Sequence, residues 1–277
     1  MKGLAAAISV MLVAPAWGNV AGDVAAGDAA QKAKNYAEAI KRYSEAIEWT
    51  GVSPGELVRA YVRRANAYRQ TGRDAAAIAD YGSAIALDPE TADAYNGRGL
   101  ARVKQGLYRS AVADYDQAIG LKPDFAFAYT NRARAYFHQR LFDKAVESLV
   151  ARLRIEPKHV YPMLWLYLAR EKMRQDGKAE LASYAKMLEG DHWIDQVTLF
   201  YLGEATPDQV LEAARRDPEH RREREAEAYF YMGEYFLLHG QRRRAEEYFR
   251  ATLASGLKNF YEYTAAKIEL GRMESRK

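Results

Sequence analysis

The sequence predicts an all-α fold, a solenoid of stacked helical hairpins closed by a C-terminal capping helix. Three observations carry this. Pro89, Pro123 and Pro157 stand 34 residues apart, twice in succession. Small and aromatic residues recur in columns at the same spacing: Tyr61, Tyr95 and Tyr129; Ala65, Gly99 and Ala133; Ala77, Ala111 and Ala145; Tyr81, Tyr115 and Leu149. No stretch shows the strict apolar-polar alternation of a half-buried strand.

Taken in order, residues 1–18 (MKGLAAAISVMLVAPAWG) hold one Lys, an apolar run over 4–14, and Ala16-Trp17-Gly18. This is the layout of a secretory signal with a small-x-small cleavage site. The run is shorter than the roughly 20 residues that span a bilayer. The expectation is export with cleavage near Gly18 and a periplasmic location, with a retained membrane anchor as the alternative.

Residues 19–57 read as a degenerate N-terminal helical repeat, marked by Gly27, Ala39, Tyr43 and Ala46. Units 58–91, 92–125 and 126–159 are clear repeats. Small residues in two columns let helix backbones approach, and aromatic residues in two others fill the space between layers. Each Pro ends a second helix, having no N–H to donate. Gly72 and Gly106 fall where the turn inside a hairpin needs positive φ. Residues 160–225 form an atypical helical segment, with Thr206-Pro207 as an N-cap and first helical position. A last repeat and the capping helix fill 226–277, the repeat marked by Tyr229, Gly233, Ala245 and Phe249. The columns and their period resemble the tetratricopeptide repeat, a helix-turn-helix of that length. One such unit cannot bury its apolar face alone, so neighbours must stack.

The glycines of GRG at 97–99 could suggest a phosphate-binding loop. A dinucleotide fingerprint needs a small residue at the sixth place and a strand before it; position 102 is Arg. The columns instead make Gly99 an interhelical contact and Gly97 a groove-facing position where a side chain is dispensable.

Four aromatic blocks stand in the C-terminal half: LWLYLAREK at 164–172, FYLGEATPDQVLE at 200–212, FYMGEYFLLHG at 230–240 and NFYEYTAAKIEL at 259–270. Over roughly residues 58–270 they resemble the NlpI family of bacterial envelope lipoproteins. That resemblance implies a dimeric, all-helical periplasmic adaptor. It would bring peptidoglycan endopeptidases together with a carboxy-terminal processing protease. The family carries a lipidated Cys after its signal peptide, and this chain has no Cys. The resemblance therefore implies a soluble, non-lipidated copy without a stable membrane anchor. The first 57 residues, which would supply the dimer contacts, match the family least. The alternative is a general tetratricopeptide scaffold for another envelope assembly or secretion complex.

Net charge is +4 with both signs interleaved, which leaves no nucleic-acid footprint. The clusters at 215–225 and 242–244 read as solvated surface or as partner-docking patches. The five His are scattered, no G-x-S-x-G elbow exists, and the carboxylates read as filler on solvent faces of helices. No catalytic role and no cofactor or metal is expected. Binding is the remaining role. First-helix positions facing the concave side carry Arg59, Arg63, Asn66, Asn96, Asn131 and Arg134. Asn can hold a peptide backbone and Arg can grip a carboxylate. The set is similar to carboxylate-clamp tetratricopeptide domains, without the Lys typical of that clamp. Either it holds an extended or acidic peptide, or it is an ordinary solvated surface.

Overall fold

The protein is described here by a computed structural model, which covers residues 20–187 and 192–275. The expected export signal lies outside the described residues. Among the described residues there are fifteen helices and no strand. The first eight form four hairpins: α1 (Val20–Lys32) with α2 (Tyr36–Glu48), α3 (Pro54–Gln70) with α4 (Asp74–Leu87), α5 (Ala92–Lys104) with α6 (Tyr108–Leu121), and α7 (Ala126–His138) with α8 (Phe142–Ile155). Then come α9 (Val160–Lys172), α10 (Lys178–Ala185), α11 (Asp195–Leu202) and α12 (Pro207–Arg215). The hairpin of α13 (Arg221–Leu238) and α14 (Arg242–Ala254) precedes the closing α15 (Tyr261–Glu274). None is long and apolar enough to cross a membrane.

Each hairpin turns through one residue in the left-handed region. Gly72, Gly106 and Gly240 serve three of these turns at φ of 73°, 75° and 71°, and Lys34 and Arg140 the other two at 58° and 62°; Arg174, at 59°, turns α9 toward α10. In the α3–α4 turn, Gly72 N–H donates to the Arg69 carbonyl at 3.1 Å and Arg73 N–H to that of Tyr68 at 2.9 Å. These bonds satisfy carbonyls that the end of a helix leaves open. Two starts carry reciprocal capping boxes, Ser53 with Glu56 and Thr206 with Gln209, each followed by Pro.

Inside a hairpin a small residue on the first helix receives a ring from the second. A Cβ on Gly27 would stand 2.4 Å from the Tyr43 ring, on Gly99 2.6 Å from Tyr115, and on Gly233 2.7 Å from Phe249. Gly97 corrects the sequence reading. It is buried, and a Cβ there would meet the Tyr81 ring at 2.4 Å, so the missing side chain is what lets one hairpin's tyrosine reach the next.

Charged residues also recur at the repeat spacing. Arg64 binds Asp80 at 2.7 Å and Arg98 binds Asp114 at 2.7 Å, each across its own hairpin. Arg132 at the same place donates to Ser148 at 3.1 Å and reaches back to Asp116 at 2.7 Å. These three guanidiniums lie 5.7, 5.5 and 5.4 Å from the rings of Tyr61, Tyr95 and Tyr129. Asp80 and Asp114 are buried, as are Glu234, Glu262 and Glu269. The reading of carboxylates as solvent-face filler therefore fails at these positions, because a half-buried Arg or Lys faces each of them.

The first helices of successive hairpins touch, α1 with α3, α3 with α5 and α5 with α7, and approach more closely than the second helices do. Unequal spacing of two layers curves the stack, with the first helices on the inside. The four aromatic blocks meet at its C-terminal end: Trp165 on α9, Phe200 and Tyr201 on α11, and Phe230 and Tyr231 on α13 share one core. Tyr261 of α15 packs against Trp165, ring centroids 5.5 Å apart.

Helix α15 does more than close the last repeat. Its leading loop and body lie along the C-terminal ends of the inner helices at one repeat-spaced column. Asn259 donates to the Gln70 carbonyl of α3 and accepts from Lys104 of α5 at 3.2 Å. Tyr261 packs on His138 of α7, centroids 5.3 Å apart, and Arg272 donates to the His138 carbonyl. The C-terminal segment thus occupies part of the concave face.

Candidate functional site

A cavity of about 420 Å³ opens on the concave face where α7, α8 and α9 meet the C-terminal segment. Its wall includes Phe127, Asn131, Arg134, Arg152, His159 and Tyr161 from the inner repeats, Glu227 from α13, and Phe260 and Glu262 from the tail. The local sequence explains the placement. Ala128 and Ala135 pack with residues of the preceding hairpin and Ala133 with those of α8, which leaves Asn131 and Arg134 on the arc between these two buried faces, at the cavity.

Of the six residues expected in the groove, only Asn131 and Arg134 line this cavity. Arg134 lies 3.7 Å from Glu262, with its guanidinium 4.3 Å from the Tyr261 ring centroid and 5.6 Å from that of Trp165. Asn131 donates its side-chain amide to Asn96 at 3.0 Å, joining two inner helices. Asn66 accepts from the Tyr81 hydroxyl at 2.6 Å. Arg63 faces Asp28 at 3.5 Å, and Asp28 also accepts from Tyr43 at 2.7 Å. Arg59 is exposed on α3, away from the cavity. The six therefore divide into a C-terminal pair at the cavity, a bridging Asn96, Arg63 and Asn66 near two tyrosine hydroxyls, and an exposed Arg59.

Electrostatics inside the cavity are mixed. Glu227 accepts from the Tyr161 hydroxyl at 2.8 Å, and burial, with Glu262 alongside, holds its carboxyl up at about 7. It is therefore part-protonated near neutrality and can donate as well as accept. Burial and the neighbouring Arg152 push the His159 imidazole toward its neutral form. Such a wall recognises polar groups through hydrogen bonds set among aromatic surfaces. Among the described residues there is no group of three or more acidic or histidine side chains placed to hold a metal.

Sequence reasoning missed Arg152, His159, Tyr161, Glu227, Phe127 and Phe260. A signal for Arg152 existed: stepping back by the repeat spacing gives Ala118 and Ala84, both fully buried, so an Arg interrupts a column of core alanines. The clusters at 215–225 and 242–244 are largely satisfied internally. Arg215 pairs with Glu225, and Arg224 and His220 pair with Asp217 at 2.8 and 3.0 Å. Arg242 donates to the Met273 carbonyl, and Arg244 lies 3.8 Å from the Phe236 ring centroid.

The stacked hairpins have the fold of a tetratricopeptide-repeat solenoid. Residues 65–106 match the family described as TPR repeat, and residues 96–158 that described as Tetratricopeptide repeat. A tetratricopeptide repeat protein from Parabacteroides merdae superposes with a TM-score of 0.61 at 15% identity, over 91% of this chain and 98% of that one. A crystal structure of MamA protein superposes with a TM-score of 0.52 at 19% identity, over 73% of this chain and 94% of that one. At such identities the likeness is one of fold.

Proposed function

We propose that this protein is a non-catalytic adaptor of the bacterial cell envelope that holds protein partners on the concave face of its superhelix. The observation that carries the reading is the inner layer of first helices, which presents Asn131 and Arg134 at a cavity among aromatic side chains. A rigid curved layer offers extended chains a large surface at little ordering cost. Holding two partners on one such scaffold makes their encounter effectively intramolecular.

The partners follow from the resemblance to the NlpI family: peptidoglycan endopeptidases and a carboxy-terminal processing protease. The four aromatic blocks that carry the resemblance build a single core at the cavity's end of the molecule, which supports reading them as one structural module. The signal-like 1–18 and the absence of Cys support a soluble periplasmic form. Affinity capture with the purified protein in an envelope extract tests this. Recovery of peptidoglycan endopeptidases is the expected result. Recovery of another envelope assembly instead would leave a scaffold with different clients. Turnover of isolated peptidoglycan by the protein alone would replace the adaptor reading with an enzymatic one.

A further inference from the structure

The cavity is rich in donors that have nothing to donate to. Arg152 on α8 is 1% exposed; its Nη2 reaches Glu156 at 2.7 Å, while Nε and Nη1 have no acceptor among the described residues. Arg134 Nε, on the same wall, also lacks one, and His159 Nδ1 there has no hydrogen-bond partner. Buried polar groups are nearly always partnered, and a half-satisfied buried guanidinium is costly. Its position sharpens the point, since the two preceding repeats place a buried alanine there, Ala84 and Ala118. Packing does not require an arginine at this place.

We propose that this cavity is a carboxylate subsite for a peptide ligand, with Arg152 as anchor. Arg134 and His159 supply further donors, and the side chain beside the carboxylate rests on Phe127 and Phe260. Phe127 is suited to this, being 66% exposed at the cavity's edge despite its size. Arg152 stands on a second helix, outside the first-helix positions read from the sequence, so the anchor approaches from beneath the groove. The acidic residues present do not oppose a carboxylate strongly. Glu262 is engaged by Arg134, and Glu227 is held by the Tyr161 hydroxyl and is part-protonated near neutrality. Phe260 and Glu262 belong to the C-terminal segment, so the site is complete only with α15 docked.

This inference rests on the concave face being the ligand-binding face. The test uses fluorescence anisotropy on the purified protein with three short labelled peptides rich in Phe and small residues. One ends in a free carboxylate, one is its carboxamide, and one is the carboxamide with a single internal Asp. The free acid is expected to bind about 10- to 100-fold more tightly than the carboxamide, the range of a charge-assisted bond. Arg152→Gln is expected to abolish that difference, Arg152→Lys to restore part of it, and Phe127→Ala to weaken all three peptides while keeping it. Binding of the Asp peptide as tight as the free acid assigns the carboxylate to a side chain; weak binding assigns it to a chain terminus. Equal binding of acid and carboxamide by the wild type, or no binding of either, overturns the subsite, and that comparison needs no variant to fold. The adaptor reading survives either result and falls only on the envelope capture.

Discussion

The Arg134 guanidinium on α7 lies 4.3 Å from the centroid of the Tyr261 ring on α15, with Glu262 3.7 Å away. This stack ties the C-terminal helix to the middle of the repeat array. Tyr261 also packs on Trp165 and His138. Tyr261→Ala removes a large ring and a cation–π contact, and is expected to cost about 3 kcal/mol. Denaturant unfolding measures that loss. Hydrogen exchange is expected to show α15 losing protection while α3 to α6 keep theirs.

Gly97 is filled by the Tyr81 ring of the preceding hairpin, which would stand 2.4 Å from an added Cβ. Gly97→Ala is therefore expected to destabilise by about 1–3 kcal/mol through overpacking, despite alanine's better helix propensity. Gly120→Ala, in open space on α6, is the control and is expected to stabilise slightly. Thermal unfolding of the two variants checks the contrast.

Asp80 is buried and is held by Arg64 at 2.7 and 2.9 Å through two guanidinium nitrogens. Arg64→Ala strands that carboxylate and is expected to cost about 3–5 kcal/mol. The third repeat places Ser148 where the second places Asp114 and the first Asp80. The double variant Arg64→Ala with Asp80→Ser should therefore lose less than Arg64→Ala alone. A double-mutant cycle measures the recovery.

Two groups pull the pH dependence of stability in opposite directions. Glu227, ordinarily near 4.5, is held at about 7 by burial and by Glu262. The folded state binds its proton more tightly, so its contribution is complete below 4.5 and is lost as pH rises through about 7. His138, ordinarily near 6.5, is pushed down to about 3 by burial, then by Arg272 and Arg134. Its contribution is complete above 6.5 and is lost as pH falls toward 3. Glu227→Gln is expected to flatten the fall in urea midpoint on the alkaline side, and His138→Gln that on the acid side.

What was legible in the sequence is what repeats locally. Pro89, Pro123 and Pro157 mark helix ends, and the small-aromatic columns mark the layer contacts, because each arises within one hairpin or between neighbours. The Arg64, Arg98 and Arg132 column repeats just as strictly, yet it stayed unread, since a charged residue on a helix is ordinarily solvated and burial leaves no local mark. Gly97 was misread for a related reason: its partner Tyr81 belongs to the hairpin before. The placement of α15 was not legible at all. Contact between Tyr261 and Arg134 depends on the curvature summed over several repeats, which no window of sequence contains. The cavity shares that origin, although Arg152 in a column of alanines was a visible anomaly.

The central claim, that partners are held on the inner layer, is tested most directly by site-specific photo-crosslinking in an envelope extract. A photoreactive residue replaces Asn131 on α7 of the inner layer, or Glu147, exposed on α8 of the outer layer. The expected result is a defined set of partner adducts from position 131, lost when Arg134 is changed to Ala, and little from position 147. Adducts formed mainly from position 147, or formed at 131 without regard to Arg134, would contradict it.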